Sequence, residues 1–282
     1  MSKIKEFFTY PTNDSGINWE EILSYQHCRY THKKCFKTRK SNPEISIGTC
    51  TVAYGKDQRD VIICPHRLLE RRQIFIDCLH LLNCHIPGNE LHIVPEVSIP
   101  GGSVDYVLVS TDRNRKVKDF VGIELQTMDT TGTVWPERQK LLQEFGFEVN
   151  EEISDKAFGM NWKMTSKTIL VQLLHKIETF ESLNRHFVLI IQDHLLDYMK
   201  KEFSFAHVTE AKLGDSMHFH AYSLDNAGGN YKLHLNNRIS TDSAGISTLL
   251  GLNAKANIKF EEIAKILESK ISDNTVFEIT VL

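Results

Sequence analysis

Hydrophobic and polar positions change rhythm along this chain, and the changes divide it into three regions. Residues 1 to about 65 carry little periodicity, as expected of a small module organised by something other than a large core. From Arg67 to Leu82, the residues Leu68, Leu69, Ile74, Phe75, Cys78, Leu79 and Leu82 recur at mostly helical spacing, which predicts an amphipathic helix. Three strands are then predicted at His92 to Ile99, Val104 to Val109 and Asp119 to Thr127, divided by Pro100-Gly101-Gly102 and by the polar run Thr111 to Lys118. The stretch from Trp135 to Trp162 is polar, acidic and weakly patterned, and reads as loop or irregular helix. A helix from about Thr165 to Leu183 follows, with Thr165 or Ser166 able to cap its start. Strand Phe187 to Gln192, helix Asp193 to Phe203 and strand His218 to Leu224 complete the series. Helix, three strands, helix, strand, helix, strand is an α/β order, with a mixed sheet flanked by helices.

Composition narrows this picture. The chain has 282 residues and is 41% hydrophobic, enough for one large domain or a core with an appended module; the patterning places the division near 1–65 and 66–282. Thirty-three basic residues against 36 acidic ones give a net charge of −3, so any surface for a polyanion must come from local clustering. One such cluster is Cys28 to Lys40, where Arg29, Lys33, Lys34, Lys37, Arg39 and Lys40 occur with no acid between them; a solvated basic loop is the alternative. The start lacks the pattern of a secretory signal and no run reaches 18 apolar residues, so a cytoplasmic protein with no membrane span is expected. Six cysteines are too few for a disulfide scaffold, and all lie between positions 28 and 84.

Candidate chemistry concentrates in the predicted strands. Alternation puts Glu124 and Gln126 on one face, with Ile123 and Leu125 on the other. Asp105 stands among Val104, Tyr106, Val107 and Leu108, where an unpaired carboxylate is costly to bury. Nineteen positions separate Asp105 from Glu124, enough for adjacent antiparallel strands that bring the carboxylates together. Clustered carboxylates repel unless one is protonated or a cation joins them, and oxygen donors favour magnesium or manganese. The alternative pairs Glu124 with a nearby lysine and Asp105 with a loop. Cys28, Cys35, Cys50 and Cys64 are separated by six, fourteen and thirteen residues, unlike the close pairs of zinc ribbons, so scattered buried thiols stay open beside a metal cage. Cys78 falls on the apolar helix face, while Cys84 or His66 could substitute for one of the four ligands.

GGSVDYVLV and VGIELQT resemble the core of the PD-(D/E)XK nuclease superfamily, and with GTC at 48–50 and ICPHRLLE at 63–70 the chain resembles NotI-type restriction endonucleases over roughly residues 28–192. The pattern departs twice: Ser103-Val104 replaces the usual proline before Asp105, and Gln126 stands where lysine is usual. The resemblance implies a magnesium-dependent type II enzyme, acting as a homodimer on double-stranded DNA. It implies Asp105, Glu124 and the Leu125 carbonyl as magnesium ligands, Gln126 orienting water, and Glu96 or Glu70 as a further acid. It also implies an N-terminal four-cysteine module binding iron or zinc through Cys28, Cys35, Cys50 and Cys64. Lys33, Lys34, Lys37, Arg39, Lys40, Arg67, Arg71, Lys163 and Lys167 become candidate DNA contacts, with Arg72 beside them, and Gln172 and Lys176 share a helix face that could approach the phosphate. His218 and His220 read as packing or partner-facing residues and not as metal ligands. A non-catalytic DNA-binding protein, or a repair or mobile-element nuclease, are the competing expectations.

Overall fold

A computed structural model of the chain describes residues 1–252, 263, 265 and 267–269, so the expected 66–282 unit extends past the described residues. The first region holds β1 (Ile4–Phe7), β2 (Tyr10–Pro11), α1 (Trp19–Tyr25), β3 (Thr38–Arg39), β4 (Asn42–Ser46), β5 (Thr49–Tyr54) and β6 (Arg59–Ile62). Four of these strands form a small sheet in the order β2-β1-β5-β6. A broken helical segment follows, made of 3-10 turns at Pro65–Arg72 and Leu79–Leu81 around the short α2 (Gln73–Ile76). Next come β7 (Glu90–Ile99), β8 (Gly102–Thr111), β9 (Val117–Gln126), β10 (Thr130–Thr131), α3 (Trp135–Glu144), β11 (Gly159–Met160) and α4 (Trp162–Ser182). The last elements are β12 (His186–Gln192), α5 (Asp193–Glu202), β13 (Thr209–Glu210), β14 (Met217–Ala227), β15 (Asn230–Thr241) and α6 (Ser243–Leu249). No helix among the described residues is long and apolar enough to cross a membrane.

The main sheet runs β13-β15-β14-β12-β9-β8-β7. Strands β7, β8 and β9 form an antiparallel meander, β12 joins β9 and β14 in parallel, and the β14–β15 hairpin extends the far side. Alternation sorts the two faces. Val121, Ile123, Leu125 and Leu108 pack with Leu68, Leu69, Ile74, Phe75 and Cys78 from the broken segment. The opposite face packs against Ile169, Leu173, Ile177 and Phe180 of α4 and Leu195 and Met199 of α5. Gly122 permits that contact, because a Cβ there would lie 2.3 Å from the Phe180 ring. Ile4, Phe7, Val52 and Val61 of the small sheet join the same apolar cluster, beside Leu141 and Leu142 of α3.

Two expected elements take another form. The segment 67–82 is not one amphipathic helix, because Arg71 and Arg72 adopt left-handed backbone angles, φ 50° and 57°. The Glu70 carboxylate accepts hydrogen bonds from Arg67 and from the Leu233 N–H, pinning the chain just before the break. Apolar pairs on either side can then both reach the sheet: the spacing reported burial correctly and helix continuity incorrectly. Conversely, Trp135–Glu144 is a regular helix whose buried face carries Glu137, Arg138 and Gln139. Lys3 N–H donates to the Glu137 carboxylate at 2.7 Å, so polar residues fill positions where an amphipathic helix would show leucine.

A histidine group under the β12–β14 junction predicts acid sensitivity. His218 Nε2 lies 2.9 Å from the Asp215 carbonyl and 3.2 Å from His186 Nδ1, while His218 Nδ1 and His220 Nε2 are buried without a hydrogen-bond partner. Burial, reinforced by neighbouring histidines, lowers His218 to about 4 and His220 to about 3. Unfolded histidines titrate near 6.5, so between that pH and about 4 the unfolded chain binds more protons and the fold loses stability as pH falls. Urea unfolding at pH 4.5 is expected to show a loss on the order of 3–5 kcal/mol relative to pH 7, with a shallower slope in His220→Phe. Equal slopes in the two proteins would remove His220 from the account.

Candidate functional site

Strand register assembles the carboxylates. In β7 and β8, Pro95 pairs with Tyr106 and Val97 with Val104, which brackets Glu96 opposite Asp105. In β8 and β9, Tyr106 pairs with Ile123, and one further step in the same register sets Asp105 opposite Glu124. Directly opposite residues share a face, which sets Asp105 beside Glu124. Glu96, at a left-handed position outside the paired register, adds its charge from the neighbouring strand, so acids from three adjacent strands make one charged row. The β8–β9 ladder stops there, and the Leu125 N–H donates instead to Asp105 Oδ2 at 2.8 Å. The Asp105 side chain thus takes the place of a backbone acceptor and holds its own carboxylate at the point where the strands part.

A turn and a helix close over this row. Gly101, at φ +92°, brings the β7–β8 turn so near α4 that a Cβ would stand 2.0 Å from the His175 carbonyl oxygen. Thr179 Oγ1 donates to the Pro100 carbonyl at 2.9 Å, tying the same turn to the helix. This contact sets Lys176 over the carboxylates, with Nζ 2.6 Å from Glu124 Oε1 and both side chains buried. The lysine partner and the carboxylate cluster, alternatives in the sequence, occur together. Glu124 Oε2 is buried with no hydrogen-bond partner. Burial raises the pKa of Glu124, as does the charge of Asp105, against the pull of Lys176; burial likewise raises Asp105, opposed by the Leu125 N–H. Two carboxylates held at such a cost, one with an orphaned oxygen, suit a hard divalent cation.

The remaining candidates are distributed around this row. Glu96 is exposed, at φ 53°, and its charge reaches Asp105. Glu70 belongs elsewhere, in the Arg67 network. Gln126 follows Glu124 on the same face, with Nε2 donating to the Thr127 carbonyl at 2.6 Å. Gln172, Lys163 and Lys167 are exposed on α4.

Cys28, Cys35, Cys50 and Cys64 are all buried, as is Cys78 on the sheet side, while Cys84 is exposed. The Cys64 thiol is held down to about 6 by a hydrogen bond with Cys50, against the effect of burial and with help from Lys37. Burial raises Cys28, but hydrogen bonds with His66 and the backbone of Thr31 and Tyr30 outweigh it and leave the thiol lowered. Charge on Cys35 is felt by Cys50, and charge on Cys28 and Cys64 by Cys35, so the four thiols share one neighbourhood. Their soft donor set suits iron or zinc. Among the described residues, however, no three His, Cys, Asp or Glu side chains converge as a ready-made metal cage. His66 links this neighbourhood to the carboxylates, because its charge also lowers Asp105.

Basic residues behave differently from their sequence clustering. Lys37, Arg39 and Lys40 line a cavity of about 700 Å³ with the Met128–Trp135 loop, a few residues beyond Gln126. Arg39 pairs with Glu151 at 2.6 Å and lies over the Trp135 ring, Lys34 pairs with Glu44, and Lys37 donates to the Ile63 carbonyl. Lys33 is exposed. Arg67 was expected on a phosphate-facing surface but is wholly buried, held 2.6 Å from Glu6 and 2.9 Å from Glu70, where no nucleic acid can touch it. Arg71 is exposed at a separate cavity, together with Lys232, which no basic cluster in the sequence marks out.

Comparison with protein families gives a match consistent with this site. The family described as restriction endonuclease NotI matches residues 27–233, a span that contains the four cysteines, the carboxylate row and Lys176. A search for individual curated relatives gives no significant match. With most of its length covered by that match, the chain belongs to the NotI restriction endonuclease family.

Proposed function

We propose that the protein is a type II restriction endonuclease of PD-(D/E)XK architecture that hydrolyses both strands of a short, symmetric DNA site. The observation that carries this reading is the carboxylate row Glu96, Asp105, Glu124 under the Lys176 ammonium, at the point where β8 and β9 part. Asp105, Glu124 and the Leu125 carbonyl would hold magnesium, which supplies charge neutralisation at the phosphate and a more acidic attacking water. Gln126, next on the same face, orients that water, and Glu96 extends the acidic row toward solvent. Lys176 provides a cation next to Glu124 that the third strand lacks, and in this reading it faces the scissile phosphate. Lys33, Lys34, Lys37, Arg39, Lys40, Arg71, Lys163 and Lys167 supply the DNA-facing charge. Two identical sites related by a two-fold axis cut the two strands, which makes a homodimer the working assembly. Digestion of a plasmid of known sequence tests the function: discrete fragments that require magnesium and share one end sequence are expected, whereas binding without cutting, or random nicking, refutes it.

In the same reading, residues 1–65 form a module in which Cys28, Cys35, Cys50 and Cys64 bind one iron or zinc ion. The lowered Cys64 and Cys28 thiols support it. Elemental analysis after dialysis is expected to find about one such ion per chain, lost in Cys64→Ser. A metal-free purified protein of full stability would leave these residues as packed thiols.

A further inference from the structure

A cavity of about 730 Å³ lies on the side of the small sheet facing the β14–β15 hairpin, and its walls include Arg29, Tyr30, Arg71, Arg72, Tyr231 and Lys232. The four cationic side chains come from three distant stretches of a chain whose net charge is −3. None of them makes an ion pair among the described residues. The acids at the cavity floor, Glu6 and Glu70, are engaged by Arg67. Four unpaired cations thus face a triad with at most one net negative charge. A concave wall concentrates such a field on an incoming anion.

The backbone reinforces this reading. Arg71 and Arg72 are consecutive left-handed residues, a conformation that disfavours any side chain beyond glycine. Packing demands a break between Leu69 and Ile74, but it does not demand arginine at the break. Two arginines are mounted at left-handed positions on the wall of the cavity.

The cleft also lies near the chemistry. Leu69 lines the cavity and packs in the same apolar cluster as Ile123 and Leu125, the neighbours of Glu124 on β9.

We propose that this cleft is a phosphate-binding surface for duplex DNA, seating the backbone that flanks the cleavage point rather than reading bases. The proposal rests on DNA as the substrate and adds a binding surface away from the carboxylates. Its test uses binding alone, so it stands apart from any failure of the cleavage reading. A labelled mixed-sequence duplex is titrated with the full-length protein in EDTA over a potassium chloride series. For wild type, log affinity against log salt gives the reference slope. The double variant Arg71→Gly/Arg72→Gly keeps left-handed geometry without strain, so it should fold, and its slope is expected to fall by about 1.8, roughly 0.9 for each phosphate no longer neutralised. Lys232→Ala is expected to lower the slope by about 0.9, while Arg71→Lys/Arg72→Lys should retain most of it. Slopes unchanged in both the glycine and Lys232 variants would overturn the proposal, as would a loss of affinity confined to the cleaved sequence, which would assign the cleft to base recognition.

Discussion

Alanine at Asp105 or at Glu124 is expected to reduce cleavage by on the order of 10³-fold or more, while leaving duplex binding intact or slightly tighter. In the proposed mechanism the two effects separate, because the carboxylates repel the phosphate in the ground state and act on it only through a cation in the transition state. The structural cost should differ between them. Asp105 accepts the Leu125 N–H, so its loss frees a backbone donor where β8 and β9 part. Glu124 is paired with Lys176, so its loss leaves a buried ammonium behind. Single-turnover digestion and anisotropy on the same preparations check both halves. Cleavage by either variant at near the wild-type rate would show that the row is not the catalytic site.

Lys176→Met is expected to be the most destabilising single change at the site, costing roughly 3–5 kcal/mol at neutral pH without divalent metal. Methionine preserves the volume but leaves Glu124 buried and uncompensated beside Asp105. On the proposed site, manganese added to the variant should return a large part of that loss, and more than it adds to wild type, because the ammonium and the metal ion would compete for the same carboxylate. Urea unfolding in EDTA and in manganese measures the difference directly. If manganese stabilises both proteins equally, lysine and metal do not share Glu124. Cleavage should fall even with metal restored, since the proposed contact of the ammonium with the phosphate is lost.

Much of the sheet was legible because alternating strands between clear turns leave a local imprint. The predicted 92–99, 104–109 and 119–127 lie within a residue or two of the spans of β7, β8 and β9, and 165–183 overlaps α4 almost throughout. The carboxylate row follows from the same alternation once the β7–β8 turn sets the register. What stayed hidden depends on distant partners. The small sheet pairs β1 with β5 across some forty intervening residues, and no short window shows such pairing. Strand β15 was missed, although Tyr231, Lys232, Leu233 and His234 alternate buried and exposed. Arg67 looked like its neighbours in sequence, yet Glu6 turns it inward from more than sixty residues away. Spacing puts Lys176 on a helix face, but only the turn at Gly101 determines which carboxylate it meets.

Strand β7 forms the outer edge of the main sheet over ten residues and exposes Leu91 and Val94. A long edge with apolar side chains invites another strand to add to it, and self-association by that route would be a hazard for an enzyme crowded along DNA. Pro95 offers no N–H, and the left-handed Glu96 beside it turns the backbone away from a flat ladder. The outward row of donors is thereby cut into two short runs that template a neighbour poorly. The same two residues that carry an acid to the flank of Asp105 also keep the edge of the sheet from growing into a second molecule.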